Sequence, residues 1–455
     1  MAIKATEQTT TQTNNDTKIN ALKDLLCLII FTPFTKKIKF LKYYTRSQIF
    51  HDRIYNNCIN FSGGDFIMRV TKLILTLSII FAFSAQAFGF DKMSASDVIN
   101  NFAFNAAKSI SADGGKYFFS PYSIITAFSM AYAGAKNDTA REIEDVLGLN
   151  QKIHSELGNL MKDIDSTKLI AVANRVWLKK GVQLKKTYSK VLKSSYDSSI
   201  KELDFKGETE FSRKIINEWV SQKTNEKIKN LLQELEPTTR MILTNAIYFN
   251  GQWDKKFNKR RTSEEVFYVS PEVSKDVQMM KQRDKFDYVE ADGYKVIKLP
   301  YNNRRFSMII MLPVAKFQNN FEEISYEDVK KWLEGLSEYE VDLWLPKFKT
   351  EERYELKNLF EGLGVKSAFS DFADFTGITK DEKLKIDKII HKTFIDVDEE
   401  KTEAAAATAV TMIRATALPP MEEKKKAEFH ADHPFMFMIT DDYTNTILFM
   451  GKQNF

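Results

Sequence analysis

Hydrophobic and polar positions alternate along this chain with two clear periods. From Ser94 to Ser109 the apolar residues Val98, Phe102, Phe104 and Ala107 return at helical spacing, with Ser96 as N-cap before Asp97. Phe118-Phe119-Ser120-Pro121 ends a short strand, and a helix resumes over 123–133. A further helix over 138–146 stops at Gly148, and a helical pattern over 211–232 closes before Pro237. Strands are expected over 169–178, over the uncharged run 241–249, and over the pair 296–299 and 306–312 around Asn302-Asn303. Val341 to Leu345 reads as a strand stopped by Pro346, and 354–363 as a helix stopped by Gly364. A hairpin over 435–439 and 446–451 closes the chain across Asp441-Asp442. Helices early, many strands later, no repeat and no long linker give one mixed α+β domain.

One stretch fits neither period. Glu399-Glu400-Lys401-Thr402-Glu403 is charged, and the ten residues from Ala404 to Ile413 then carry no charge. By itself it reads first as an alanine-rich helix or a linker. If extended, Thr402, Ala404, Ala406, Thr408, Val410 and Met412 share one face, while Ala405, Ala407, Ala409, Thr411 and Ile413 share the other. Nothing between Ala404 and Ile413 is too large or polar to enter a sheet as a middle strand.

The N-terminal part has a different composition. Met68-Arg69-Val70-Thr71-Lys72, the apolar run Leu73–Phe83 and Ser84-Ala85-Gln86-Ala87 have the order of a secretory signal peptide cleaved after Ala87. The run is short against the ~20 residues of a membrane span; an uncleaved anchor is the alternative. Residues 1–67 then read as a non-native or disordered extension ahead of the true start. Residues 1–87 hold 11 Lys/Arg and 5 Asp/Glu, net +6, against +5 for the whole chain, so residues 88–455 sit at −1. That balance gives no reason to expect a nucleic-acid partner. Both cysteines, Cys27 and Cys58, precede Met68, so the exported part has no disulfide and depends on its apolar core.

Reactive chemistry is sparse. Beyond residue 87 the histidines are His154, His391, His430 and His433, and no nucleophile elbow, zinc-protease helix or phosphate loop occurs. His430 and His433 are three apart but have no evident third ligand, so no metal or other cofactor is expected. His391, between Ile390 and Lys392, reads as a buried, hydrogen-bonded histidine rather than a base. Enzyme activity is not expected.

Ordered blocks through residues 88–455 resemble the serpins, the serine protease inhibitor family. They are Phe118-Phe119-Ser120-Pro121-Tyr122-Ser123-Ile124, Asn174-Arg175-Val176-Trp177, Thr244-Asn245-Ala246-Ile247-Tyr248-Phe249-Asn250-Gly251-Gln252-Trp253, Leu345-Pro346-Lys347-Phe348, Ala373-Asp374-Phe375 and Phe449-Met450-Gly451. The resemblance implies an exported, prokaryotic-type member with three β-sheets, eight to nine helices and an exposed reactive-centre loop at about 399–420. In inhibitory members a protease cleaves the loop and forms an acyl-enzyme. The loop's N-terminal part then enters the central sheet as a strand and drags the protease away.

On that resemblance Glu399, Lys401, Thr402, Glu403, Ala404, Ala405, Ala406, Ala407 and Thr408 form the loop hinge. Ser120, Ser123, Asn245 and His391 form a shutter beneath the parting strands, and Trp253 and Lys347 lie where insertion begins, Lys347 paired with Glu399. Loop length places the reactive bond at Ala415–Thr416, suited to an elastase-like protease; Arg414–Ala415 is the alternative, suited to a trypsin-like one. The implied partner is a serine protease held as a covalent acyl complex, with no nucleic acid, no required small molecule and a monomer before reaction. Lys401 departs from the glycine usual before the hinge threonine, and Lys116 from an asparagine ahead of the FFSP block. The competing readings are a non-inhibitory binding or chaperone-like serpin and an inhibitor of cysteine proteases.

Overall fold

The uncharged run Met241–Phe249 forms a strand in which all nine residues are buried, because both faces of its sheet are covered. It is β4 in a computed structural model that describes residues 93–110, 115–198, 200–317, 320–402 and 425–455, with backbone alone for 401–402. The other strands are β1 (Tyr117–Phe119), β2 (Ile170–Lys179), β3 (Lys201–Leu203), β5 (Gly251–Gln252), β6 (Ser263–Tyr268), β7 (Ser274–Ala291), β8 (Tyr294–Pro300) and β9 (Phe306–Pro313). Then come β10 (Ser337–Pro346), β11 (Phe348–Glu355), β12 (Lys388–Val397), β13 (Lys401–Thr402), β14 (Lys426–His430), β15 (Phe435–Asp441) and β16 (Thr446–Gln453). Eight α-helices lie among the described residues: α1 (Ala95–Ile110), α2 (Pro121–Tyr132), α3 (Asn137–Leu147), α4 (Ile153–Asp165), α5 (Lys186–Tyr196), α6 (Thr209–Lys223), α7 (Tyr326–Glu334) and α8 (Lys357–Leu363).

The strands form three sheets. One has five strands in the order β11-β12-β4-β2-β3, one has nine running from β1 to β14, and β13 pairs with β5. Behind the five-stranded sheet lies α2, whose twelve residues are all buried, as a helix apolar all round requires. The other face is closed by Ile216 and Val220 of α6, with Ile228, Leu231 and Leu232 beyond it, against Trp177, Ile242, Ala246, Tyr248, Ile390 and Phe394. The sheet is therefore a buried layer, and β4 at its centre carries no charge.

Three expected boundaries move. Ser94, not Ser96, caps α1: its Oγ accepts from Asp97 N at 3.1 Å and its own N–H donates to the Asp97 carboxylate at 3.2 Å. Ser96 instead bonds Thr446 at 2.7 Å. The helix expected to reach Leu232 ends at Lys223, because Asn225, Glu226 and Asn230 adopt positive φ (50°, 60° and 53°). The apolar spacing continued because Ile228, Leu231 and Leu232 are still buried, though not as a helix. Tyr354 lies in β11, where its hydroxyl accepts from Phe118 N at 3.2 Å; the helix starts only at Lys357.

Candidate functional site

Register assembles the site. In the parallel ladder of β12 with β4, His391 stands opposite Asn245, and in the antiparallel ladder of β4 with β2, Asn245 stands opposite Asn174. Three polar side chains thus form one row across three adjacent strands. Beneath them lies the start of α2, where Ser120 is the N-cap and Pro121 occupies the first turn.

The hydrogen bonds at this row are mutually determined. The N–H of Ser120 donates to Nε2 of His391 at 3.0 Å, so the imidazole proton sits on Nδ1 and donates to Asn245 Oδ1. That orients the Asn245 amide, whose Nδ2 donates to Ser123 Oγ and, at 2.6 Å, to Asn174 Oδ1. Ser123 Oγ in turn donates to Asn174 Oδ1 at 3.1 Å, and Ser120 Oγ donates to Leu448 O at 2.6 Å while accepting from Ser123 N at 3.1 Å. Ser120, Ser123, Asn245 and His391 are fully buried. Burial pushes His391 down to about 3, against the pull of its bond to Asn245, so the ring is neutral near pH 7. With both nitrogens engaged, it is a bonded structural histidine. Asn174 was quoted only as part of a motif; the strand register makes it a member of this network.

β12 and β4 pair directly from Lys388↔Ile242 to Phe394↔Tyr248, so no strand stands between them. Beyond Phe394 the two diverge and a second cluster begins. Trp253 is buried and stacks on Tyr301 with centroids 4.8 Å apart, and its indole N–H donates to Asp398 O at 2.9 Å. Lys347 Nζ lies 2.9 Å from Glu399, whose other oxygen accepts from Thr262 Oγ1 at 2.8 Å. Burial works to raise the Glu399 carboxyl, but the bonds from Lys347 and Thr262 outweigh it and hold the group below the usual glutamate value. Phe257 N donates to Glu399 O at 2.9 Å and Trp253 N to Glu400 O at 3.3 Å. Lys401 and Thr402 then pair antiparallel with Gln252 and Gly251. The chain after β12 is thereby tied to the chain after β4.

Other sequence expectations land as follows. Lys116 lies 4.0 Å from Glu352 of β11. The two nearby histidines are engaged separately: His433 bonds Asp432 at 2.7 Å and Pro313 O at 2.8 Å, while His430 packs on Trp344 with centroids 5.1 Å apart. Among the described residues no group of three or more His, Cys, Asp or Glu could hold a metal ion. Glu403, Ala404, Ala405, Ala406, Ala407, Thr408, Arg414, Ala415 and Thr416 lie outside the described residues.

Comparison with known proteins agrees over most of the chain. The family model described as "Serpin (serine protease inhibitor)" matches residues 97–454. An uncharacterized serpin-like protein of Thermococcus kodakarensis is 38% identical over 364 residues, covering 78% of this chain and 84% of that protein. The leukocyte elastase inhibitor of Xenopus laevis is 35% identical over 376 residues, covering 78% and 98% respectively. Among solved structures, a tumour suppressing serpin superposes with a TM-score of 0.72 at 28% identity, covering 80% of this chain and 99% of that one.

Proposed function

The chain belongs to the serpin family, and we propose that it is an irreversible suicide-substrate inhibitor of serine endopeptidases, exported through the signal peptide Met68–Ala87. The observation that carries this reading is the direct β4–β12 ladder, followed by a hinge and then by ten uncharged residues able to become a strand. Serpins include non-inhibitory members, so family membership alone does not give the activity.

In the proposed reaction the protease serine attacks the carbonyl carbon of Ala415, the peptide bond to Thr416 breaks, and the Thr416 amine leaves with the proton from the serine. Arg414–Ala415 is the alternative bond, for a trypsin-like enzyme. The acyl-enzyme stays attached to the segment that ends at Ala415. β4 and β12 part by one strand spacing, about 4.8 Å, and Thr402 onward enters between them. Each new backbone hydrogen bond contributes roughly 0.5–1.5 kcal/mol, and two ladders replace one. Small side chains at Ala404, Ala406 and Thr408 let entry outrun hydrolysis of the acyl-enzyme. The attached protease is carried along, and a misplacement of its catalytic groups by ~1 Å costs on the order of 100-fold in deacylation.

Incubating residues 88–455 with an elastase and with trypsin tests this. An SDS-resistant adduct with one of them is the expected result, and the mass of the released C-terminal fragment identifies the bond. Thr408→Arg places a charge that must be buried on insertion, so the adduct should give way to cleaved chain and active protease. Retained inhibition by this variant sinks the insertion mechanism, and cleavage of the wild type without an adduct favours a non-inhibitory serpin.

A further inference from the structure

Lys347 and Glu399 are not the only ion pair at the loop root. Glu400, the next residue, has its carboxylate 2.7 Å from Lys259 Nζ. Lys259 opens a 3-10 turn, Lys259–Arg261, set by the Asn258 side chain, which accepts from Arg260 N at 3.0 Å. That turn belongs to the segment already bonded to the hinge backbone, through Trp253 N to Glu400 O and Phe257 N to Glu399 O. Two successive carboxylates are therefore held by lysines from two different segments. The pairs differ in surroundings: the Glu399 side chain is 6% exposed, whereas Glu400 is 27% and Lys259 65% exposed. The Lys259 ammonium is held above its usual value first by Glu400 and more weakly by Glu399 and Asp398.

For the hinge to swing, Lys401 and Thr402 must leave Gln252 and Gly251, and the carbonyl of Glu400 must leave Trp253. The Lys259–Glu400 pair spans the same two segments. We propose that Lys259 is a positioning residue that holds the hinge closed through Glu400 and makes the rate of loop entry depend on ionic strength. This rests on the inhibitory reading above. An exposed pair is screened as salt rises, whereas the buried Glu399 contact and the backbone bonds are screened far less. An exposed pair of this kind shifts an opening equilibrium by only about 1.5- to 5-fold.

Amide hydrogen exchange at Trp253 and Phe257, the two donors to the hinge carbonyls, reads the latch without any protease. Lys259→Ala should speed exchange at both amides by about 1.5- to 5-fold in low salt and remove most of the acceleration that high salt gives the wild type. Lys259→Arg should behave as wild type, and the exchanged pair Lys259→Glu with Glu400→Lys should restore the salt dependence. In the second arm, an elastase or trypsin is added and the ratio of adduct to cleaved chain is measured in low and high salt. The wild-type ratio should rise with salt, and the Lys259→Ala ratio should start high and stay flat. Unchanged exchange in Lys259→Ala, or a charge exchange that fails to restore the salt response, overturns the latch. Faster exchange without an adduct in any variant keeps the latch and removes the inhibitory reading instead.

Discussion

The middle of the β4–β12 seam and its upper end are held by different physics. At the middle, the buried Asn245, His391, Ser120 and Ser123 join the half-buried Asn174 in a network of neutral groups. At the end, Lys347, Glu399, Lys259 and Glu400 form ion pairs that reach the surface, with side-chain exposures from 6% to 65%. A buried network is costly to break, because a lost partner strands the others away from water. The exposed Lys259–Glu400 pair is weak and screened by salt, and the Lys347–Glu399 pair less so because Glu399 is buried. In the proposed insertion, that gradient lets the seam open first at the end where its outermost ion pair is worth least.

The strongest test of the contrast is Asn245→Ala. The variant removes three side-chain bonds at once and leaves the His391 Nδ1–H buried without its acceptor. One to two stranded groups at roughly 1–3 kcal/mol each give an expected loss of about 1–6 kcal/mol, read from urea unfolding. The loss should be nearly the same in low and high salt. A loss below ~1 kcal/mol, or one that follows ionic strength, would erase the distinction between the two regions.

Acid probes the same network through its one titratable member. Burial lowers His391 to about 3, while in the unfolded chain a histidine titrates near about 6.5. Between those values the unfolded chain binds the extra proton, so stability is full above pH ~6.5 and falls as pH drops toward ~3, by up to about 1.4 kcal/mol per unit from this residue. His154, lowered to about 4 by burial, acts in the same direction. His391→Gln should therefore flatten the acid side of the stability profile without levelling it. Urea midpoints measured from pH 7 to pH 4 check this, and an unchanged slope would mean that the ring is not held neutral.

How much of this was legible depended on whether the signal was local. β4 could be read because nine uncharged residues in a row have few places to go, and the β15–β16 hairpin because a polar turn separates two apolar runs. The α5 helix went unread: it buries only Tyr188, Leu192 and Tyr196, a single stripe on a lysine-rich segment. β7 went unread because charged residues fill its exposed face and its partners β6, β8 and β10 supply the order. Ser120, Ser123, Asn245 and His391 were named from resemblance to a family, not from spacing. Their hydrogen bonds join residues up to 328 apart in sequence, to the Leu448 carbonyl, and no periodicity reports that. Asn174 needed the β2–β4 register, and Lys259 needed the fold to bring its turn against Glu400.

The smallest effect is expected where the chain departs most visibly from its family. In the proposed hinge Lys401 stands where the serpin resemblance leads one to expect glycine, and glycine matters where φ must be positive or a backbone must approach closely. Lys401 lies in β13, paired antiparallel with Gln252, and an extended backbone of that kind admits any residue. The close approach falls on the partner strand instead, at Gly251, where an added Cβ would meet the Phe249 ring at 2.5 Å and Tyr301 at 2.9 Å. Lys401→Gly should therefore bring no gain in the closed state. By widening the unfolded ensemble it should cost about 0.5–1 kcal/mol, measurable as a small fall in the urea midpoint at constant slope. The same variant has a second readout in the ratio of adduct to cleaved chain. If the swung hinge needs a conformation that lysine resists, that ratio rises even as stability falls; if the hinge stays extended throughout, stability alone changes. A variant more stable than wild type would contradict the extended pairing at Lys401, and with it the view that the hinge is tied at Gly251 and Gln252.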